Sequence, residues 1–350
     1  MKMTRPLGLV VACVLALSSF LTHAESRKSF NVCWTLYAGW MPWGYTSTSG
    51  IIDKWAKKYG IEIKVTQLND YVESINQYTA GQFDGCTMTN MDALTIPAAG
   101  GVDTTVLLPG SFSEGNDGVV VKGKGKTLAD LKGMSINLPE LSVSHYLLIR
   151  GLEHAGLAEK DVRIVNTSDA DIVAAFSTSG VKAAVAWNPQ LSAINAVPDT
   201  TEVFSSREIP GEIIDLMVVN TQTLKDNPAL GNALTGAWFE IMGLMKAGDT
   251  AALTAMAQAS GTDLPGYQKQ LATTHLFHTP QQMLTFFTSS DLPKTMQRVA
   301  QFSFDKGLLG EGARSADAVG IAFPGGVVVG NPSNIKLRFD DAYVQQALLP

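Results

Sequence analysis

The sequence predicts an α/β fold of two lobes around a central ligand cleft, on three observations. Short β-branched runs alternate with amphipathic segments of helix length through the first two thirds of the chain. Behind an N-terminal leader, 326 residues remain, more than one core usually serves. Two apolar runs, 117–122 and 213–219, stand where a chain would leave one lobe and return to it. The predicted division is 1–24 leader, 25–117 with 218–350 as lobe 1, and 118–217 as lobe 2.

The leader is read first. Lys2 and Arg5 precede an apolar run from Leu7 to Leu21, and Thr22-His23-Ala24 places small residues at the −3 and −1 cleavage positions, the pattern of a secretory signal peptide. Cys13 lies too early in the apolar run to be a lipoprotein cysteine. Residues 1–24 hold two of the 26 basic residues and none of the 32 acidic ones, so the remainder carries a net charge of −8. An acidic chain with no basic tract is a poor partner for nucleic acid or anionic membrane. No later apolar run is long enough to span a bilayer, which predicts a soluble mature protein. Cys33 and Cys86 remain; a disulfide suits an exported protein, buried thiols suit neighbouring parallel strands, and both readings stand.

The stretch from Cys33 to Tyr45 holds three of the six Trp and two of the eight Tyr. Rings in a Gly- and Pro-containing loop after a strand have no regular face on which to be buried, so they can line a recess; the plainer reading is a plug in the core. Ile51, Ile52, Trp55 and Tyr59 then recur with helical spacing, and Gly60 stands at a left-handed stop. Ile61, Ile63 and Val65 alternate as a strand does. Asp70 and Glu73 form a capping box for a helix ended by Gly81. Phe83 to Met88 reads as a strand, Asn90 to Ala99 as a short helix and Val102 to Leu108 as a strand, a βαβ series that specifies a parallel sheet.

A second series begins with Asp117 to Val121, a strand predicted to cross between lobes. It continues with a short helix at Thr127 to Lys132, a strand at Ser135 to Leu138, a helix from Ser142 to the stop at Gly156, and a strand at Val162 to Val165. A helix at Ala170 to Phe176, a strand at Val181 to Ala186 and a brief helix after Asn188-Pro189 complete it. Ile213 to Val219 is the predicted return, and Thr221 to Leu309 reads mostly as helices.

Several short motifs together resemble the periplasmic substrate-binding proteins of ABC importers, in the group similar to nitrate, sulfonate and taurine binders. They are Phe83-Asp84-Gly85-Cys86, Thr89-Asn90-Met91-Asp92-Ala93-Leu94, Leu128-Ala129-Asp130-Leu131-Lys132-Gly133, Ser142 to Leu148, Val185-Ala186-Trp187-Asn188-Pro189 and Ile209-Pro210-Gly211. With Gly39 to Tyr45 added, the chain looks more narrowly like the urea carboxylase-associated branch, which is implied to handle guanidine or urea. The resemblance implies the periplasmic binding protein type II fold with a hinge, a periplasmic location, a small-molecule ligand, an inner-membrane ABC permease as partner, a monomer, and no cofactor.

The residues support a cation or a neutral amide over an anion. An oxyanion taken from water needs basic groups or other donors, and apart from Lys132 these motifs hold no Arg or Lys, with His145 as their one histidine. The strand ends and crossings offer Asp92, Glu114, Asp117, Glu140 and Asp215 beside Tyr37, Trp40, Trp43 and Trp187, so a planar guanidinium could meet carboxylates at its edge and rings on its face. Each candidate has a plainer role. Asp92 could serve only the helix dipole, and Glu114 and Asp117 a solvated turn. Ser142 could be a helix cap, and the positive end of that helix would repel a cation unless an acid such as Glu140 reverses the sign. His145 reads as a packed helix residue. Asn188 stands where the family often carries an acid, and Asp215 interrupts an apolar strand, which points to the cleft.

The expected function is therefore a non-catalytic receptor for guanidinium or urea. Nitrate, sulfonate or taurine binding in the same fold is the alternative. The chain has no nucleophile elbow, His-Glu-x-x-His metal site or phosphate loop. A thiamine-pyrimidine synthase of similar fold would need a histidine-rich segment, and the five histidines are scattered. A periplasmic sensor module is a third reading.

Overall fold

A computed structural model describes residues 27–349, so the signal-peptide expectation lies outside the described residues. The first strands and helices are β1 (Ser29–Thr35), α1 (Met41–Thr48), α2 (Ile51–Lys58), β2 (Glu62–Leu68), α3 (Tyr71–Thr79), β3 (Gly85–Thr89), α4 (Asn90–Ala93) and β4 (Thr104–Ser113). The second series is β5 (Asp117–Lys122), β6 (Ser135–Leu138), α5 (Val143–His154), β7 (Arg163–Asn166), α6 (Ile172–Ser177), β8 (Ala183–Trp187), α7 (Gln190–Asn195) and β9 (Thr200–Ser205). The chain returns through β10 (Ile214–Asn220), α8 (Thr221–Asp226), α9 (Pro228–Lys246), α10 (Thr250–Ala259), α11 (Leu264–Leu271), β11 (Thr274–Leu276), α12 (Pro280–Phe287) and α13 (Asp291–Asp305). It ends with β12 (Gly320–Ala322), β13 (Val328–Val329), β14 (Ile335–Phe339) and α14 (Ala342–Gln346).

Two sheets organise two α/β lobes. The larger runs β13-β12-β14-β4-β10-β3-β1-β2, with β11 paired to β4, and the smaller runs β7-β6-β8-β5-β9. β2, β1 and β3 are parallel as the βαβ reading requires, but β10 lies antiparallel between β3 and β4, because it re-enters from the other lobe. Neither run predicted to cross between lobes does so. β5 lies wholly in the small sheet and β10 wholly in the large one, and the chain passes between them at 114–116 and 206–213. These two connectors are tied by Ser206 Oγ, which accepts from the Gly115 N–H at 2.8 Å and shares a hydrogen bond with Ser113 Oγ at 2.6 Å. Gly115 has φ +106°, and a Cβ there would meet the Arg207 guanidinium at 2.7 Å, so this turn requires glycine.

Strand alternation decides which side chains face the cleft. In β5, Val119 and Val121 join the main core while Val120 joins a separate cluster with Ile172, Phe176 and Leu191 on the outer face. In β8, Ala183, Val185 and Trp187 face the main core by the same rule, which turns Trp187 toward the large lobe. Asp70 caps α3 by accepting from the Glu73 N–H at 2.9 Å, but Glu73 accepts from Gln77 and does not close the predicted box. Cys33 and Cys86 stand opposite one another in the β1–β3 pair, Cα atoms 4.4 Å apart, and are joined as a disulfide. β9, β11 and β12–β14 were not expected; each is short or lacks alternation, and each is stabilised by its neighbours in the sheet.

Candidate functional site

The loops at the carboxyl ends of β1, β2, β3 and β8 converge where the two lobes meet, the usual ligand position in open α/β sheets. Tyr37 and Trp40 follow β1, Tyr71 opens α3, Thr89 ends β3, Trp187 ends β8 and Val143 opens α5. Asp117 is the first residue of β5 and Asp215 the second of β10. These eight line one cavity of about 10 Å³, roughly the space that a single water fills. None is more than 5 % exposed, so the lining side chains themselves fill nearly all of the space between the lobes.

Hydrogen bonds between the lobes hold it shut. The Ala38 N–H donates to the Asn188 carbonyl at 3.0 Å, Trp187 Nε1 to the Leu36 carbonyl at 3.0 Å, and the Tyr71 N–H to Asp169 Oδ1 at 2.9 Å. Asn116 Nδ2 donates to Thr274 Oγ1 at 2.7 Å.

Four rings make the apolar wall. Tyr37 meets Trp40 edge-on at 4.9 Å, Trp40 lies 5.8 Å from Tyr71, and Tyr71 meets Trp187 edge-on at 5.3 Å. Gly39 permits this, since a Cβ there would stand 2.6 Å from the Tyr37 ring. Faces of such rings attract cations.

Three aspartates supply the polarity, and in each the donors all reach one oxygen. Asp215 Oδ2 accepts from Tyr37 OH at 2.8 Å and Ser111 Oγ at 2.6 Å. Asp117 Oδ2 accepts from Ser113 Oγ at 2.5 Å. Asp92 Oδ2 accepts from Tyr71 OH at 2.6 Å, Thr89 Oγ1 at 3.0 Å and the Val143 N–H at 3.3 Å, while its Oδ1 is buried without a partner. Burial pushes Asp215 up to about 8, with the Asp117 charge adding and the Ser111 and Tyr37 bonds opposing. Burial likewise raises Asp117 to about 7 and Asp92 to about 6. No Arg, Lys or His lines the cavity. Buried carboxylates without a countercharge favour protons or a bound cation. Among the described residues no cluster of His, Cys, Asp or Glu is arranged to hold a metal ion.

The structure brings Tyr37, Trp40, Asp117, Trp187 and Asp215 to this cavity, with Asp92 directly behind Tyr71 and Thr89. Four other candidates do different things. Trp43 is 1 % exposed and stacks on Trp238 at 5.1 Å, so it belongs to the core. Glu114 is exposed in its turn. Ser142 caps α5, accepting from the Ser144 N–H at 3.2 Å and donating to the Pro139 carbonyl at 2.6 Å. Asn188 holds the next helix, its Oδ1 accepting from Ser192 N at 3.0 Å and Oγ at 2.6 Å. The positive end of α5 is answered by Asp92; Glu140 is exposed. His145 is packed, with Nδ1 accepting from the Leu141 N–H at 3.2 Å. Tyr71, Thr89 and Val143 are the lining residues that sequence reasoning missed; the available signal was their shared position where a strand end meets a helix start.

Comparison with known proteins places these features in a family context. Residues 53–238, just over half of the chain, match the family described as NMT1/THI5 like. The taurine-binding periplasmic protein of Escherichia coli (strain K12) is 28 % identical over 227 residues, 61 % of this chain and 68 % of that protein. Among solved structures, the alkanesulfonate-binding protein SsuA from Xanthomonas axonopodis pv. citri bound to MOPS has a TM-score of 0.68 at 18 % identity, covering 82 % of this chain and 96 % of that one. The periplasmic nitrate-binding protein NrtA from Synechocystis PCC 6803 has a TM-score of 0.61 at 12 % identity, covering 92 % and 99 %. These likenesses show the periplasmic binding protein type II fold.

Proposed function

From the premise that the chain belongs to the NMT1/THI5-like family, we propose that it is the periplasmic solute-binding component of an ABC importer. In this reading the protein closes on guanidinium and delivers it to an inner-membrane permease. It acts as a monomer, exported by the leader at 1–24, and performs no chemistry on the solute. The two lobes, with bounds shifted from the expected 25–117 with 218–350 and 118–217 to the sheet boundaries, move about the connectors at 114–116 and 206–213.

One observation carries the choice of ligand: the cavity pairs four aromatic rings with Asp117 and Asp215 and has no basic group. A planar cation fits that wall. Its N–H groups can reach the carboxylate oxygens that protein donors leave free, and its face can lie on Trp40 or Trp187. Nitrate or a sulfonate would set its charge against two buried aspartates with no compensating cation. Binding of taurine or nitrate, which the named relatives suggest, therefore has less support from the lining. Urea is a second reading, favoured by carboxyls raised to about 7 and 8: such groups are partly protonated near neutrality and can donate to a carbonyl.

Calorimetric titration with guanidinium chloride, urea, sodium nitrate and taurine tests the ligand. Binding of guanidinium is expected, urea more weakly and nitrate not at all. Tight nitrate or taurine binding with no response to guanidinium would reject the proposal. Loss of guanidinium uptake in a deletion strain would separate transport from sensing.

A further inference from the structure

Two aspartates make the same contact in opposite directions across the cleft. Asp92, in the large-sheet lobe, accepts from the N–H of Val143, first residue of α5 in the other lobe. Asp169, between β7 and α6 of the small-sheet lobe, accepts from the N–H of Tyr71, first residue of α3 in the large-sheet lobe. Each helix also has its own cap: Asp70 takes the Glu73 N–H and Ser142 the Ser144 N–H. The carboxylate from across the cleft thus meets an amide that the helix itself leaves unpaired, at the helix's positive end.

Asp92 is 0 % and Asp169 is 4 % exposed, and Asp92 Oδ1 and Asp169 Oδ2 are buried without partners. The two crossing contacts exist only with the lobes together, and separation breaks both. Burial raises Asp169 to about 6, with the charges of Asp70 and Asp171 adding and the Tyr71 N–H opposing. Tyr71 joins the two contacts. Its backbone donates to Asp169, its hydroxyl donates to Asp92 at 2.6 Å, and its ring lines the cavity.

We propose that Asp92 and Asp169 form a reciprocal latch between the lobes, and that Asp169, although outside the cavity, is a positioning residue that sets ligand affinity through Tyr71. The inference rests on reading the molecule as a binder that closes, whichever solute it takes. A hydrogen bond to a charged group typically changes an equilibrium about tenfold or more.

Amide hydrogen exchange on the parent, Asp169→Ala and Asp169→Asn, each ligand-free and with millimolar guanidinium chloride, reads the latch. In the parent, the Tyr71 and Val143 amides should be protected together. Asp169→Ala should accelerate both, although Val143 lies on the other contact, and Asp169→Asn, which keeps an acceptor oxygen, should restore part of the protection. Protection of one amide without the other in the parent, or acceleration of Tyr71 alone in the variant, overturns the latch. Guanidinium affinity should fall about tenfold in Asp169→Ala and less in Asp169→Asn; unchanged affinity also overturns it. If guanidinium fails to bind the parent, the ligand assignment falls and the paired amides still decide the latch.

Discussion

Replacing Asp215 by Asn should strengthen the fold and weaken the binder, in amounts that depend on pH. Asp215 is 3 % exposed, and its Oδ2 already accepts from Tyr37 and Ser111. The Asn oxygen can accept the same two bonds, so the change removes charge with little change of shape. With the pKa raised from 3.8 to about 8, the folded state holds the proton more tightly than the unfolded chain. Stability is therefore unaffected below the unfolded value, falls as pH rises from about 4 to 8 and is flat above. At about 1.4 kcal/mol per pH unit, the ionised residue lowers stability by on the order of 5 kcal/mol at pH 9. Asp215→Asn relieves part of this and also lets Asp117 ionise more readily. The variant should melt with the parent at or below about pH 4 and about 5 °C or more above it at pH 9. Its guanidinium affinity should fall by about 10- to 150-fold, the range for a hydrogen bond to a charged group. Scanning calorimetry and titration calorimetry read the two effects. Equal melting at both pH values with unchanged affinity would refute the assignment of Asp215 as a buried, ligand-facing carboxylate.

Guanidinium affinity should rise between pH 6 and about 9 and level off above, because acid protonates Asp117 and Asp215, held at about 7 and 8, and removes the countercharge. Titrations in buffers of different ionisation enthalpy should register about one proton released near pH 7; urea should release none. Trp40→Ala and Trp43→Ala should separate: the first weakens binding by about 1–2 kcal/mol through the lost ring face, whereas the second lowers unfolding free energy by about 3–5 kcal/mol and leaves the affinity of the folded protein near that of the parent. Removing the Cys33–Cys86 bond with Cys33→Ala, which opens a link between residues 53 apart, should cost about 4 kcal/mol in denaturant unfolding at most.

The sequence shows the site where chemistry conflicts with pattern and hides it where the two agree. Asp215 stands out because a carboxylate breaks an apolar strand, and the structure places it on the cavity. Trp40 and Trp43 look equivalent on paper. One precedes α1 at the cleft; the other lies inside that helix and meets Trp238 on α9, a partner almost 200 residues away that no local pattern announces. Tyr71 and Thr89 pass unnoticed because a tyrosine at a helix start and a threonine at a strand end also serve as ordinary caps and core. The lobes themselves were legible from alternating strands and helices. The antiparallel β10 was not, since strand direction follows from where the chain re-enters the sheet. The two contacts from Asp92 and Asp169 lie beyond sequence reading for the same reason: each joins a carboxylate to an amide in the other lobe.

A high-resolution structure of the protein crystallised with millimolar guanidinium chloride tests the central claim most directly. The account predicts a planar solute in the cavity, its nitrogens within hydrogen-bond reach of Asp117 and Asp215 and its face against the ring of Trp40 or Trp187. A cavity holding only water at saturating guanidinium, or one that instead captures nitrate or taurine, would contradict it.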